Sequence, residues 1–275
     1  AYSASSSPLD GQTISLTSKR VPGGVVSNYL NDSVQAGMLL KLLGPSGSFT
    51  PEPRAERQRH LVLIGGGSGI TPLLSILRTA LRVETNSHIS LIYGNRSHAD
   101  IIFRSELEAL AAQHPDRFSL RHVLLTPPVG FAGTAGILDQ PTVAAEVQAV
   151  CAAPRSALPT EFYVCGPDAM MEAAAAALRE RGVSPSDIHE ERFLSVHAKK
   201  PAQPESPQPL ELTTPAGKKT LVVAAGQTLL EAGLSGGVAM PFSCALGGCG
   251  ACKVRLVRGS VSMSEPNCLS RAERE

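Results

Sequence analysis

Leu61-Val62-Leu63-Ile64-Gly65-Gly66-Gly67-Ser68-Gly69-Ile70-Thr71-Pro72 passes from a short apolar run, through glycines, into a helix start. Four consecutive branched residues suit a strand buried on both faces. Pro72 suits the first turn of a helix, where a missing N–H costs nothing. The same rhythm repeats downstream. Apolar runs at Ile89 to Tyr93, Ser119 to Leu125 and Phe162 to Cys165 alternate with helical stretches at Pro72 to Val83, Ser105 to Gln113, Pro141 to Ala152 and Ala169 to Arg181. Strand, helix, strand, helix predicts an α/β doubly wound parallel sheet. The alanine run Ala173 to Ala177 is favourable helix filler.

On either side the pattern changes. From Ala1 to about Phe49, short apolar runs such as Ile14 to Leu16 and Met38 to Leu43 are separated by Gly, Pro, Ser and Asn, which predicts strands of a small antiparallel β-barrel, with a helical turn starting after Ser27. Pro51, Pro53 and the charged stretch Arg54 to Arg59 then form a junction. Beyond the sheet, Lys199 to Pro209 carries four prolines and no periodicity, as a semi-rigid tether does. Leu210 to Thr214 and Lys219 to Ala225 predict a hairpin and Gln227 to Leu234 a short helix. The expected division is residues 1–53, 54–196, a linker at 197–209, and 210–275.

Composition excludes some functions. Among 275 residues, 25 basic and 24 acidic side chains leave a net charge of +1, too little field to grip nucleic acid or an anionic membrane. No stretch approaches the roughly 18 consecutive apolar residues of a spanning helix. The amino terminus lacks a signal-peptide pattern, so the expected location is cytoplasmic. In a reducing compartment the six cysteines are expected to be metal ligands or buried thiols rather than disulfides. The chain begins with Ala1 and ends at Glu275 within a charged, helix-like run, and both ends are expected to be cut.

Three of the cysteines are concentrated. Cys244, Cys249 and Cys252 follow C-x4-C-x2-C, the thiolate spacing of plant-type [2Fe-2S] proteins. The residues between them are small or apolar, and glycines let backbone N–H groups approach sulfur. Structural zinc would more often use C-x2-C pairs or histidines, and there is no histidine after His197. The fourth ligand is either Cys268 or a residue beyond Glu275. Cys151, on a predicted helix, reads as a buried small hydrophobe.

The glycine turn Gly65 to Gly69, between strand and helix, can present backbone amides and a helix N-terminus to a pyrophosphate. It departs from G-x-G-x-x-G, because position 70 is Ile. At the end of the next strand, Gly94-Asn95-Arg96-Ser97 offers Arg96 where an acidic residue would bind a ribose 2′-hydroxyl. That favours NADPH over NADH, with a solvated arginine as the alternative. Phe162-Tyr163-Val164-Cys165-Gly166-Pro167 puts Cys165 at the same carboxyl edge.

In order, these motifs resemble the ferredoxin-NADP reductase superfamily with a C-terminal plant-type ferredoxin domain, and within it the reductase components of oxygenases. The resemblance runs nearly end to end and implies a partial FAD-binding barrel, an NAD(P) domain and a partial α+β β-grasp ferredoxin domain. In the family an Arg-x-Tyr-Ser motif binds the flavin. Ala1-Tyr2-Ser3 matches its last three positions and lacks the arginine. The resemblance implies that Tyr2 lies against the flavin ring and Ser3 near the N5 that receives hydride. It also implies that Gly24-Val25-Val26-Ser27-Asn28 holds the flavin pyrophosphate. Gly67, Ser68, Gly69, Thr71 and Pro72 would hold the NAD(P) pyrophosphate, with Thr71 close to both cofactors. Cys165, Gly166 and Pro167 would line the nicotinamide, Glu191 would orient the reacting ring, and Phe193 would cover the flavin until nicotinamide displaces it.

The implied activity is hydride transfer from NAD(P)H to FAD, then single electrons through the [2Fe-2S] cluster to an oxygenase partner. A hybrid-cluster or other acceptor, or a ferredoxin-like carrier whose flavin half no longer works, are the alternatives. With the arginine missing and the fourth cluster ligand expected beyond Glu275, residues 1–275 are expected to bind flavin poorly and to assemble the cluster badly.

Overall fold

The computed structural model describes residues 2–42, 45, 47–152, 158–193, 205–242, 245, 247, 250–263, 267 and 269. The chain divides into two units, one of residues 1–40 and 49–193 and one of residues 41–48 and 194–275.

The first unit is built on a six-stranded sheet whose paired strands all run parallel. Its strands are β1 (His60–Gly66), β2 (His88–Ser97), β3 (Phe118–Thr126), β4 (Thr134–Ala135), β5 (Thr160–Cys165) and β6 (Ile188–Glu191), in the order β4-β3-β2-β1-β5-β6. β1 is buried along its whole length, as its apolar run requires. Alternation then sorts its side chains. Leu61 and Leu63 join a core with α2 (Ile70–Val83) and Leu107 of α3 (Arg104–Gln113), while Val62 and Ile64 join one with α4 (Gln140–Cys151) and α5 (Asp168–Glu180). The four expected helices and four expected strands form within one or two residues of their predicted ends at most positions, the precision at which helix termini are defined. Gly65 and Gly66 are the last residues of β1 rather than part of the turn. β4 and β6 were not anticipated. β4 has two residues, and Ile188-His-Glu-Glu191 has too little apolar character to look like a strand until β5 pairs with it.

Chain order reverses at β1: β2, β3 and β4 lie on one side, β5 and β6 on the other. The crevice at the carboxyl ends of β1 and β5 is therefore the topological switch point, where open α/β sheets place their ligands.

Among its described residues the amino-terminal segment holds one helix, α1 (Val25–Asp32), and one antiparallel bridge, Ala4 to Leu16, reinforced by Ser5 N–H donating to the Ser15 carbonyl at 2.8 Å. The helix starts at Val25, before Ser27, and runs two turns instead of one. Its entry is a Val21-Pro22-Gly23-Gly24 turn in which Gly23 has φ +70° and Gly24 N–H donates to Val21. The expected strand at Met38 to Leu43 is not formed in its described part. Leu39 is 100% exposed, and no neighbouring segment supplies ladder partners among the described residues.

In the second unit β7 (Gln208–Thr214) and β8 (Gly217–Val223) form the predicted hairpin, closed between Thr214 and Gly217. α6 (Leu229–Ser235) is set by a capping box: Glu231 N–H donates to Thr228 Oγ1 at 3.2 Å and Thr228 N–H to Glu231 Oε2 at 2.8 Å. The helix proper therefore starts at Leu229, two residues after Gln227. Among the described residues no helix is long and apolar enough to cross a membrane.

One buried ion cluster ties the junction to the sheet. Arg59, 3% exposed, donates through Nε and Nη2 to Glu84, which is fully buried, through Nη1 to both oxygens of Glu161 at 2.7 Å, and through Nη2 to the Pro51 carbonyl at 2.8 Å. A planar fork of five donors suits this many acceptors. Burial raises the Glu161 pKa, but the hydrogen bonds and charge of Arg59 outweigh it and hold the carboxyl below its ordinary value. A depressed folded pKa means that this contribution is present above the unfolded value and is lost as pH falls through the folded one. Arg59→Ala strands Glu84 without its partner and is expected to lower stability by about 3–5 kcal/mol in urea unfolding. Arg59→Met with Glu84→Leu should recover much of that loss. Wild-type stability should fall as acidification passes the ordinary glutamate range and goes on through the lowered pKa of Glu161.

Candidate functional site

The switch point is assembled by close approach. At Gly69 a Cβ would overlap the Cys165 carbonyl, and at Gly66 it would sit 2.7 Å from Met170 Sδ and 2.8 Å from Pro167 Cδ. A Cβ on Gly166 would lie 2.6 Å from Met170 Cε. Glycines thus let the β1–α2 turn and the Cys165-Gly166-Pro167 turn touch through backbone. Gly67 takes φ +53°, opening a short 3-10 turn, Gly67–Gly69, that runs into α2. The Tyr93 hydroxyl donates to the Gly67 carbonyl at 2.8 Å and holds the loop from below.

Two residues 188 positions apart in sequence meet here. Ser3 Oγ donates to Glu191 Oε2 at 3.0 Å. Glu191 ends β6 opposite Cys165 in register. Burial pushes the Glu191 carboxyl above its ordinary pKa, and the Ser3 hydroxyl opposes the shift. Burial, then the Glu191 charge, pushes the Cys165 thiol strongly upward, so Cys165 stays a neutral thiol at neutral pH. Phe193 packs on the α2 side of the core, and Tyr2 is exposed.

Several predicted contacts are turned inward. Thr71 is buried and its hydroxyl donates to the Ser68 carbonyl at 3.2 Å; Pro72 is buried beside it. Ser27 Oγ accepts from Val21 N–H at 3.2 Å, and a Cβ on Gly24 would sit 2.6 Å from that oxygen. Asn28 Nδ2 donates to the Gly24 carbonyl at 2.6 Å. These three side chains shape turns. What remains outward is the first turn of α1, whose Gly24 cap supplies no side-chain acceptor, with Val25 and Val26 exposed. Those amides fit the diphosphate of a flavin dinucleotide. Arg96 is exposed at the end of β2, its carbonyl accepting from Thr126 Oγ1 at 3.0 Å.

Lys19 is a residue that sequence reasoning missed. Its Nζ lies 3.5 Å from where a Gly67 Cβ would be, and its charge and that of Arg96 both help hold the Asp100 carboxyl below its ordinary pKa, after the Ser97 hydrogen bond. A cation beside a left-handed glycine in a strand-to-helix turn fits a dinucleotide pyrophosphate. No sequence signal marks it, because its partner lies 48 positions away.

Of the cluster residues, Cys244, Cys249 and Cys268 lie outside the described residues. Cys252 is partly exposed. In the same loop Ala245, Gly247 and Gly250 have φ +53°, +78° and +72°, which curls the backbone. That curl and the thiol donor set fit a [2Fe-2S] cluster better than a hard cation. Cys151 is half-buried, and burial raises its thiol pKa.

Comparison with known proteins agrees with this layout. An oxidoreductase FAD-binding domain matches residues 1–50, an oxidoreductase NAD-binding domain residues 63–176, and a 2Fe-2S iron-sulfur cluster binding domain residues 213–275. The chain is 33% identical to a 1,2-phenylacetyl-CoA epoxidase subunit from Escherichia coli K12, covering 95% of this chain and 74% of that protein. It is 34% identical to the ferredoxin reductase component of 3-ketosteroid-9-alpha-monooxygenase from Mycolicibacterium smegmatis, covering 100% and 75%. Full-length CYP116B46 from Tepidiphilus thermophilus superposes with a TM-score of 0.68 at 27% identity, over 99% of this chain and 32% of that one. The protein is an NAD(P)H-dependent flavin and iron-sulfur oxidoreductase. It belongs to the ferredoxin-NADP reductase superfamily, in the branch whose flavin and nicotinamide modules are followed by a plant-type [2Fe-2S] domain.

Proposed function

We propose that the protein accepts hydride from NADPH at the edge formed by Ser3, Cys165 and Glu191, and delivers single electrons to a separate oxygenase component. The observation that carries this reading is the Ser3 to Glu191 hydrogen bond beside Cys165, at the sheet's switch point. FAD, when bound, supplies the conversion between the two electrons of a nicotinamide and the one electron that a [2Fe-2S] cluster takes. The relatives named as reductase components of monooxygenases support the choice of acceptor. A cytoplasmic location accords with reduced thiols.

In this reading Tyr2 and Ser3 face the flavin ring, and the amides of Gly24 to Asn28 hold its diphosphate. Lys19 and the amides of Gly67, Ser68 and Gly69 hold the dinucleotide pyrophosphate, while Thr71 and Pro72 fix that loop. Arg96 meets the 2′-phosphate. Cys165, Gly166 and Pro167 form the wall against the nicotinamide, Phe193 shields the ring until nicotinamide arrives, and Cys244, Cys249 and Cys252 ligate iron. Cys165 acts as a neutral packing surface, because burial and Glu191 oppose its ionisation. Ionised Glu191 accepts from Ser3 and fixes the hydroxyl; a protonated carboxyl accepts less strongly and lets it turn.

Three outcomes are expected. Anaerobic mixing should bleach the flavin and cluster absorbance faster with NADPH than with NADH, and Arg96→Ala should reduce the NADPH preference by ~10-fold or more, the worth of a charged hydrogen bond. Equal rates with both nucleotides in wild type would remove the NADPH assignment alone; no bleaching with either would remove the function. Lys19→Ala should weaken binding of NADPH and NADH alike, by roughly 10-fold in equilibrium titration, because the pyrophosphate is common to both. The flavin reduction rate should decline as pH falls through the raised Glu191 pKa, and in Glu191→Gln that limb of the pH profile should be flat; a profile unchanged by the substitution would show that Glu191 does not set it.

A further inference from the structure

Helix α2 turns a polar stripe toward the amino-terminal segment. Ser75, Arg78, Thr79 and Arg82 are spaced i, i+3, i+4 and i+7 and share one face. Ser75 Oγ donates to the Ser6 carbonyl at 2.7 Å, Arg78 Nη1 donates to the Ser5 carbonyl, the Thr79 and Ser7 hydroxyls are 2.8 Å apart, and Arg82 pairs with Asp10. Every partner lies on the stretch that immediately follows Ser3. The helix itself springs from the Gly67 to Gly69 loop. One helix therefore connects the proposed pyrophosphate loop with the segment that follows Ser3.

Arg78 reaches further than its neighbours. Its Nε donates to Glu106 Oε1 at 2.7 Å, Nη2 lies 2.6 Å from the same oxygen, and the guanidinium carbon sits 5.9 Å from the centre of the Phe103 ring. Phe103 has φ +60°, a left-handed conformation that is strained for a bulky residue. With Ile101, Arg104 and Glu106 it lines an open cavity beyond the end of β2. So Arg78 holds three things at once: the backbone two residues after Ser3, the first turn of α3, and a strained turn beside the β2 edge. A lone surface ion pair would contribute little, but here one guanidinium bonds to separate elements and is mostly covered.

We propose that Arg78 is a positioning residue for the reaction, coupling dinucleotide binding at α2 and the β2 edge to the placement of Ser3. The proposal rests on the function proposed above. Arg78 touches neither cofactor's expected position and acts through the Ser5 carbonyl and Glu106. Displacing a reacting group by about 1 Å can cost ~100-fold in rate, so a remote tether of this kind matters. Coupling between two ligands is also reciprocal: if NADP⁺ tightens FAD binding, FAD tightens NADP⁺ binding by the same factor.

The test is FAD affinity measured by flavin fluorescence, with and without saturating NADP⁺, together with flavin reduction at saturating NADPH. Wild type should bind FAD about 5-fold or more tightly in the presence of NADP⁺. In Arg78→Ala that factor should fall close to 1 and the reduction rate should drop roughly 10- to 100-fold. Arg78→Lys, which keeps a charge but loses the fork, should restore only part of either. Arg82→Ala, on the same stripe but without the Glu106 and Phe103 contacts, should leave the factor within about twofold of wild type, as should a purely structural lesion. Where Arg78→Ala fails to fold, Glu106→Gln gives the same readout from the partner side. An unchanged factor and rate in folded Arg78→Ala would overturn the positioning role while wild-type bleaching by NADPH still stands. No bleaching in wild type would sink both.

Discussion

Gly69 lies so close to the Cys165 carbonyl that no side chain can occupy its Cβ position. The rest of the site depends on that approach. It presses the start of α2 against the end of β5, and Gly66 and Gly166 extend the contact around Met170 and Pro167. The Gly67 loop, the Cys165 turn and the end of β6 therefore sit together at the switch point, within reach of Ser3. A larger residue at 69 would separate the turns and the hydrogen-bonded pair beside them.

Electrostatics are arranged differently at the two ends of the sheet. At the amino-terminal end, Arg59 satisfies the buried Glu84 and the partly buried Glu161 and pins the junction at Pro51. That cluster is structural: its charges are paired and turned inward. At the carboxyl end, Glu191 is partly buried and accepts from the Ser3 hydroxyl, Cys165 is kept neutral, and Lys19 and Arg96 stand exposed. A carboxyl with a raised pKa at the carboxyl edge of such a sheet is a feature that functional sites share.

Much of the fold could be read locally. The apolar run at Leu61 to Ile64, the glycines after it and the recurring helix periods gave the doubly wound sheet. The cysteine spacing pointed to the iron-sulfur chemistry, because C-x4-C-x2-C is a local pattern. β6 was not legible, since His189, Glu190 and Glu191 form a strand only once β5 supplies the hydrogen bonds and Tyr163 the stacking surface for His189, 4.5 Å between ring centres. Thr71, Ser27 and Asn28 were legible as polar residues at the right turns, but not the direction of their side chains.

The sequence by itself determined the nucleotide and iron-sulfur modules and their order, because strand and helix periods, glycine turns and thiolate spacing are short-range signals; the flavin followed from the family resemblance that these motifs carry together. Tertiary structure alone decided which of these side chains meet one another. Lys19 beside Gly67, Ser3 on Glu191 and Arg78 between Ser5 and Glu106 each join positions at least 28 residues apart. The reason is physical: a hydrogen bond specifies a distance of about 3 Å and a direction, and only the packed sheet with its covering helices brings such distant groups to that separation.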